Sequence, residues 1–165
     1  MATPTNLPAS FSSGAVLTAA QQNDLRGAFR VLQVVTGTYG TYTTHNTTTY
    51  SDTGLTATIT PQATSNKILV MAFNNGTVRG AETAANGLNL RILRGATQIL
   101  EMKDWGLTST LLLQIGTVHM QVLDSPATTS ALTYKLQGKN STASSTVGTQ
   151  FGSTTSTLVL MEISA

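Results

Sequence analysis

The triplet Asp52-Thr53-Gly54 is the sequence that surrounds the catalytic carboxylate of aspartic proteases, where two such acids share one proton. Here it follows Tyr50-Ser51 rather than an apolar strand. It precedes Leu55-Thr56 rather than a small residue and a second acid, so it reads as a turn. The only histidines are His45 and His119, and neither has a second metal-ligating residue two or four positions away, so both read as surface or interface side chains. Val118, Met120 and Val122 would share the strand face opposite His119. Glu101 and Asp104 could supply half of a glycosidase pair, but nothing identifies the other half, and a charge cluster at a hairpin end accounts for them. Gly37-Thr38-Tyr39-Gly40 has no lysine and opens no helix, so it offers little to a phosphate. Trp105 and the tyrosines at 39, 42, 50 and 134 are the side chains that could stack on a sugar. Trp105, before Gly106, sits where an aromatic would be presented at a loop edge, and packing at a sandwich rim is its simpler use. The triplets at Asn46, Asn75 and Asn140 are as many glycosylation sequons as a chain this rich in Ser and Thr produces by chance. These residues make no catalytic constellation and imply no cofactor or metal.

Composition points the same way. Charged residues are 10% of the chain, against a usual share of about 25%. The 31 Thr and 14 Ser place a small hydroxyl at 45 of 165 positions, and a 40% apolar share is too high for a disordered polar chain. A net charge of +2 supplies few phosphate contacts, which argues against a nucleic-acid partner. There is no Cys, hence no disulfide framework and no thiolate chemistry. The longest purely apolar run, Ile68 to Phe73, is far short of a membrane span, and no charged-then-apolar leader is visible.

The elements that must position these side chains follow from the pattern. Residues 1–17 carry Leu7, Pro8, Phe11, Val16 and Leu17 singly among small and polar residues, with neither helical nor strand period. This predicts an extended arm that docks isolated apolar side chains on a partner. Thr18-Ala19-Ala20-Gln21 matches a capping box, and Leu25 and Phe29 fall four apart, so the 18–30 segment predicts one short helix. From 31 to 165 the chain reads as some ten short strands: 31–36, 47–51, 55–59, 67–74 closed by an Asn75-Gly76 hairpin turn, 88–93, 98–105, 111–115, 118–123, 132–136, 147–151 and 157–163. Leu55, Ala57 and Ile59 alternate with threonines, as Leu132, Tyr134 and Leu136 do with Thr133 and Lys135. The branched Cβ of threonine suits a half-buried pleated surface. The expected fold is all-β, an antiparallel sandwich of jelly-roll type preceded by the arm and the helix.

Three strands break the inside-outside alternation: Ile68-Leu69-Val70-Met71-Ala72-Phe73, Leu111-Leu112-Leu113 and Leu158-Val159-Leu160-Met161. An antiparallel sheet needs one apolar face for its own core. Leaving the second wet forfeits several kcal/mol at about 25 cal/mol per Å². Burial against other copies of the chain is therefore expected, with Leu69, Met71, Phe73, Leu112 and Leu160 as interface candidates.

Several blocks also carry a family resemblance. Leu7-Pro8, Phe11, Gly14-Ala15-Val16-Leu17-Thr18-Ala19-Ala20 and Asn23-Asp24-Leu25-Arg26 resemble the N-terminal stretch of many tailed-bacteriophage virion proteins. Ile59-Thr60-Pro61, Ser65 through Val70, Leu123 through Ser130, Thr133-Tyr134 and Leu158 through Ile163 are similar to a β-sandwich module of phages of marine and freshwater bacteria. The resemblance implies a jelly-roll-like domain that forms homotrimers and has no catalytic residue. It is used in capsid decoration proteins, head fibres and tail fibres. It further implies a virion location after assembly in the host cytoplasm, with the major capsid protein or other virion subunits as partners. A chain with room only for an arm, a helix and a head suits a cement-like decoration protein on the capsid. The alternative is a tail-fibre, tail-tip or adaptor component, with a host glycan as a further partner.

Overall fold

The computed structural model describes Gly14, Val16, Thr18, Ala19 and residues 30–80, 86–106, 113–142 and 146–164. Leu7, Pro8, Phe11 and Leu17 of the arm, most of the expected helix, and Leu112 lie outside the described residues. Val16 is 89% exposed.

Among the described residues ten strands follow in order: β1 (Val31–Tyr39), β2 (Thr43–His45), β3 (Ser51–Ile59), β4 (Lys67–Gly80), β5 (Leu88–Arg94), β6 (Thr97–Trp105), β7 (Leu113–Asp124), β8 (Leu132–Asn140), β9 (Val147–Thr149) and β10 (Ser156–Ile163). A single 3₁₀ turn, Phe151–Ser153, separates the last two. Every pairing is antiparallel. The first sheet runs β1-β10-β4, with β7 on the other side of β4 and the short β9 and β2 continuing past the end of β10. The second runs β3-β8-β5-β6. Setting aside the two three-residue strands, only β5–β6 is a hairpin within one sheet, and every other connection crosses to the opposite sheet. Together with the orders β1-β10-β4-β7 and β3-β8-β5-β6, that alternation is the jelly-roll topology.

The alternation seen in the sequence sets the core. Leu55, Ala57 and Ile59 of β3 are buried while Thr56, Thr58 and Thr60 are exposed. Across the sandwich, Ile68 and Val70 of β4 and Leu158 and Leu160 of β10 are fully buried against Leu90, Ile92 and Leu136. The threonines do more than fill pleats. Thr53 Oγ1 donates to the Leu136 carbonyl at 3.0 Å, Thr56 Oγ1 donates to that of Tyr134 at 3.0 Å, and the Thr58 and Thr133 hydroxyls lie 2.9 Å apart across the β3–β8 pair. Each such bond is worth about 1 kcal/mol and pins the register.

Four expectations are corrected. The Asn75-Gly76 pair is not a hairpin. β4 runs straight through it to Gly80, because Gly76 (φ +58°) absorbs a bulge between Asn74 and Thr77 while pairing with β7 continues. Leu111–Ile115 and Val118–Leu123 are not separate strands: from Leu113 the chain is one strand, β7, through Gly116. The polar stretch 47–49 is bend, and the strand there is β2, just before it. Asp52-Thr53-Gly54 is not a turn but a bulge inside β3, where the register to β8 shifts between Asp52 and Thr56. Gly54 (φ +88°) is required there, since a Cβ would lie 2.3 Å from Cζ of the Tyr39 ring that covers it.

Candidate docking surface

The sandwich has two outer faces, and they differ in kind. On the β3-β8-β5-β6 sheet, Asp52, Gln137, Arg91 and Glu101 form one row across the four strands. They are bonded to one another. Gln137 Nε2 donates to Asp52 Oδ1 at 2.6 Å, Arg91 Nε and Nη2 donate to Gln137 Oε1 at 2.9 and 2.7 Å, and Lys135 Nζ reaches Asp52 at 3.0 Å. The Arg91 guanidinium lies 4.0 Å over the Tyr50 ring, whose hydroxyl donates to Glu101 Oε1 at 2.6 Å. This is the polar, mutually satisfied surface expected of a sheet face that meets water.

The β1-β10-β4-β7 sheet presents the opposite. Val34, Met161, Leu69 and Leu123 form one row across it, Thr36, Val159, Met71 and Gln121 the next, and Thr38, Thr157, Phe73 and His119 the third. Seven of these twelve side chains are apolar and none carries a carboxylate, ammonium or guanidinium. Val34 and Leu123 are 53% and 56% exposed. Strands about 4.8 Å apart and rows about 7 Å apart give these twelve side chains, polar ones included, a face on the order of 400 Å² once side-chain rims are included. Phe73 and His119 stack at 4.3 Å between ring centroids, nearly parallel, at its upper edge.

Of the interface candidates, Leu69, Met71 and Phe73 are brought together on this face, each half-buried. Leu160 is corrected. It is fully buried, pointing between the sheets, because the pleat turns Leu158 and Leu160 inward and Val159 and Met161 outward. Val34, Val159, Met161 and Leu123 were not singled out. The doubled apolar runs announced that both faces would be apolar, but the parity that decides which residue takes which face is set by pairing with β4.

The residues considered for chemistry fall elsewhere. Burial alone would raise the Asp52 carboxyl, but hydrogen bonds from Gln137 and Lys135 outweigh it and hold it below its usual value. A shallow cleft of about 150 Å³ beside it is lined by Gly54, Leu55, Thr56 and Lys135, with no second acid. His45 is not a surface residue; it is 1% exposed. Its Nδ1 lies 2.8 Å from the Ser51 hydroxyl, and its Nε2 faces Gly138 without a partner. Burial pushes its pKa down to about 4, so the ring is neutral at neutral pH. Glu101 is held below its ordinary value by the Tyr50 hydroxyl. Trp105 packs against the core, its ring edge seated on Gly116, where a Cβ would lie 2.9 Å from Cζ2. Tyr134 is buried, and its hydroxyl donates at 2.7 Å to Asp124, which also takes two bonds from Arg94. Among the described residues no group of three His, Asp or Glu side chains could hold a metal ion. Compared with known proteins, the chain matches no family model and no curated protein sequence.

Proposed function

We propose that this chain is a non-enzymatic structural protein of a bacteriophage virion, a homotrimeric decoration protein attached to the capsid surface. The observation that carries the reading is the apolar outer face of the β1-β10-β4-β7 sheet. Three rows with seven large or branched apolar side chains and no formal charge among their twelve residues, with Lys67 only at the end of the face, are what a subunit interface leaves when the neighbours are absent. The jelly-roll strand order supports the resemblance to phage virion modules, and that resemblance supplies the threefold state and the virion setting. Attachment is assigned to the arm through Leu7, Pro8, Phe11, Val16 and Leu17, spaced to give several separate apolar contacts. Each well-buried large side chain contributes roughly 1.5–3 kcal/mol before the entropy of ordering is subtracted. Repeated over three chains, such contacts add through avidity.

Co-sedimentation with particles that lack the protein tests this directly. The full chain should bind at hundreds of copies per particle, and a chain lacking residues 2–17 should remain a trimer but stay in the supernatant. A copy number of a few to a few dozen would move the assignment to the tail. Binding unchanged by the deletion would remove the arm from attachment.

A further inference from the structure

We infer that the end of the sandwich carrying Tyr42 and Phe151 binds neutral carbohydrate, with the two rings as the stacking platform. The inference stands apart from how the chain assembles, since neither ring belongs to the rows of the β1-β10-β4-β7 face. A sugar ring is recognised by an aromatic face that receives its C–H bonds and by neutral groups that bond its hydroxyls. The fold takes the other described aromatic residues out of that role. Tyr134 is buried and Trp105 packs on the core. Tyr39 covers Gly54, and Phe73 stacks on His119. The Arg91 guanidinium and the Lys139 ammonium lie 4.0 and 4.7 Å over the Tyr50 ring. Tyr42 and Phe151 remain, 42% and 36% exposed.

The backbone holds this pair in place. The ring centroids are 5.3 Å apart and the planes meet at 79°, so the rings bound a corner. Tyr42 meets Gly148 by its edge, where a Cβ would lie 2.7 Å from Cε2 and 3.1 Å from the hydroxyl oxygen. Phe151 sits in a turn where Gln150, Gly152 and Ser153 all have left-handed φ, at 59°, 70° and 61°. Two of these are not glycine, and such a conformation persists only where the surroundings enforce it. Here they do. Gln150 is fully buried, its backbone N–H donates to the Asn75 carbonyl at 3.0 Å, and its Nε2 donates to Asn74 Oδ1 and Ser156 Oγ at 3.1 and 2.9 Å. Asn75 Nδ2 in turn donates to the Thr155 carbonyl at 2.6 Å. A platform fixed before the ligand arrives lowers the ordering cost of binding. Thr41, Ser153 and Thr155, exposed next to the rings along the chain, supply neutral hydroxyls. Residues 40–44 and 148–155 contain no Asp, Glu, Lys, Arg or His, so these segments offer no partner to an anionic sugar.

The test is a glycan array on the full chain, carrying neutral glucose, galactose, mannose and N-acetylglucosamine oligosaccharides beside sialylated and sulfated ones. NMR titration with the best neutral probe follows, for the wild type, Tyr42→Ala, Tyr42→Phe, Phe151→Ala and Phe151→Leu, with far-UV circular dichroism on each. At least one neutral class should bind. Tyr42→Ala and Phe151→Ala should each weaken it by about tenfold or more, the loss of one stacking face. Tyr42→Phe, which keeps the ring, should still bind, and Phe151→Leu, which keeps apolar bulk without a ring, should behave as Phe151→Ala does. The inference is overturned if no neutral probe binds, if binding is confined to the anionic probes, or if Tyr42→Ala and Phe151→Ala both bind as the wild type does.

Discussion

Stability should fall on mild acidification because of one buried ring, and the size of the effect follows from its position. His45 is enclosed between Ser51 and Gly138, with one nitrogen bonded and the other facing backbone. Its pKa is lowered from 6.5 to about 4. The native state holds the ring neutral, so the unfolded chain takes up a proton as pH falls below 6.5 while the folded one does not until about pH 4. The stability is therefore fully present above pH 6.5, is lost progressively as pH falls toward 4, and changes no further below that. One extra proton in the unfolded state costs about 1.4 kcal/mol per pH unit, which integrates to about 2 kcal/mol between pH 7.5 and pH 5 and about 3 kcal/mol in all. Asp52, Glu101 and Glu162, all held below their ordinary values, add their own losses only as pH falls through the carboxylate range. The interval from pH 6.5 to 5 thus isolates the histidine. Urea unfolding at pH 7.5, 6.5, 5.5 and 5.0 measures it, with His45→Asn, whose shorter side chain can still bond Ser51, as the reference. The reasoning is refuted if that variant loses as much stability over the interval as the wild type.

Other consequences are equally specific. Glu162 is fully buried at the end of β10 and accepts bonds from Gln33 and Asn66 at 2.6 Å and from the Gln62 backbone N–H at 2.7 Å. Glu162→Gln turns one acceptor into a donor facing donors and should cost about 3 kcal/mol in chemical denaturation, since a charged acceptor's bonds are worth about 1.5–3 kcal/mol each. Gly54→Ala drives a Cβ into the Tyr39 ring at a left-handed position, roughly 1–3 kcal/mol of strain, and should lower the melting temperature by about 2–12 °C. Tyr134→Phe leaves Arg94 bonded to Asp124 and removes only the hydroxyl's bond, so equilibrium unfolding should show a loss of about 1–2 kcal/mol.

The fold was legible where one periodicity governed the chain. In β3 and β8, alternating apolar residues and threonines marked both the strand and its buried face. It was illegible where a residue had two local uses. Gly76 takes the same left-handed conformation in a hairpin turn and in a bulge, and only the continuing partner strand β7 decides between them. Gly116 looked like a break because its role, seating Trp105, belongs to a strand from the other sheet. The doubled apolar runs foretold an apolar outer face, yet placed Leu160 on it, because alternation fixes a period and leaves the phase to the neighbours. His45 gave no signal of burial, since its pocket is made by Gly138, far along the chain.

The central claim is that the outer face of the β1-β10-β4-β7 sheet is covered by other copies of this chain, and the mass in solution tests it most directly. Light scattering on the purified chain at micromolar concentration should give about three times 17.3 kDa, and Met71→Asp, which places a charge in the middle of the patch, should give a folded species of 17.3 kDa. A wild type that stays at 17.3 kDa, with that face open to water, would contradict the account.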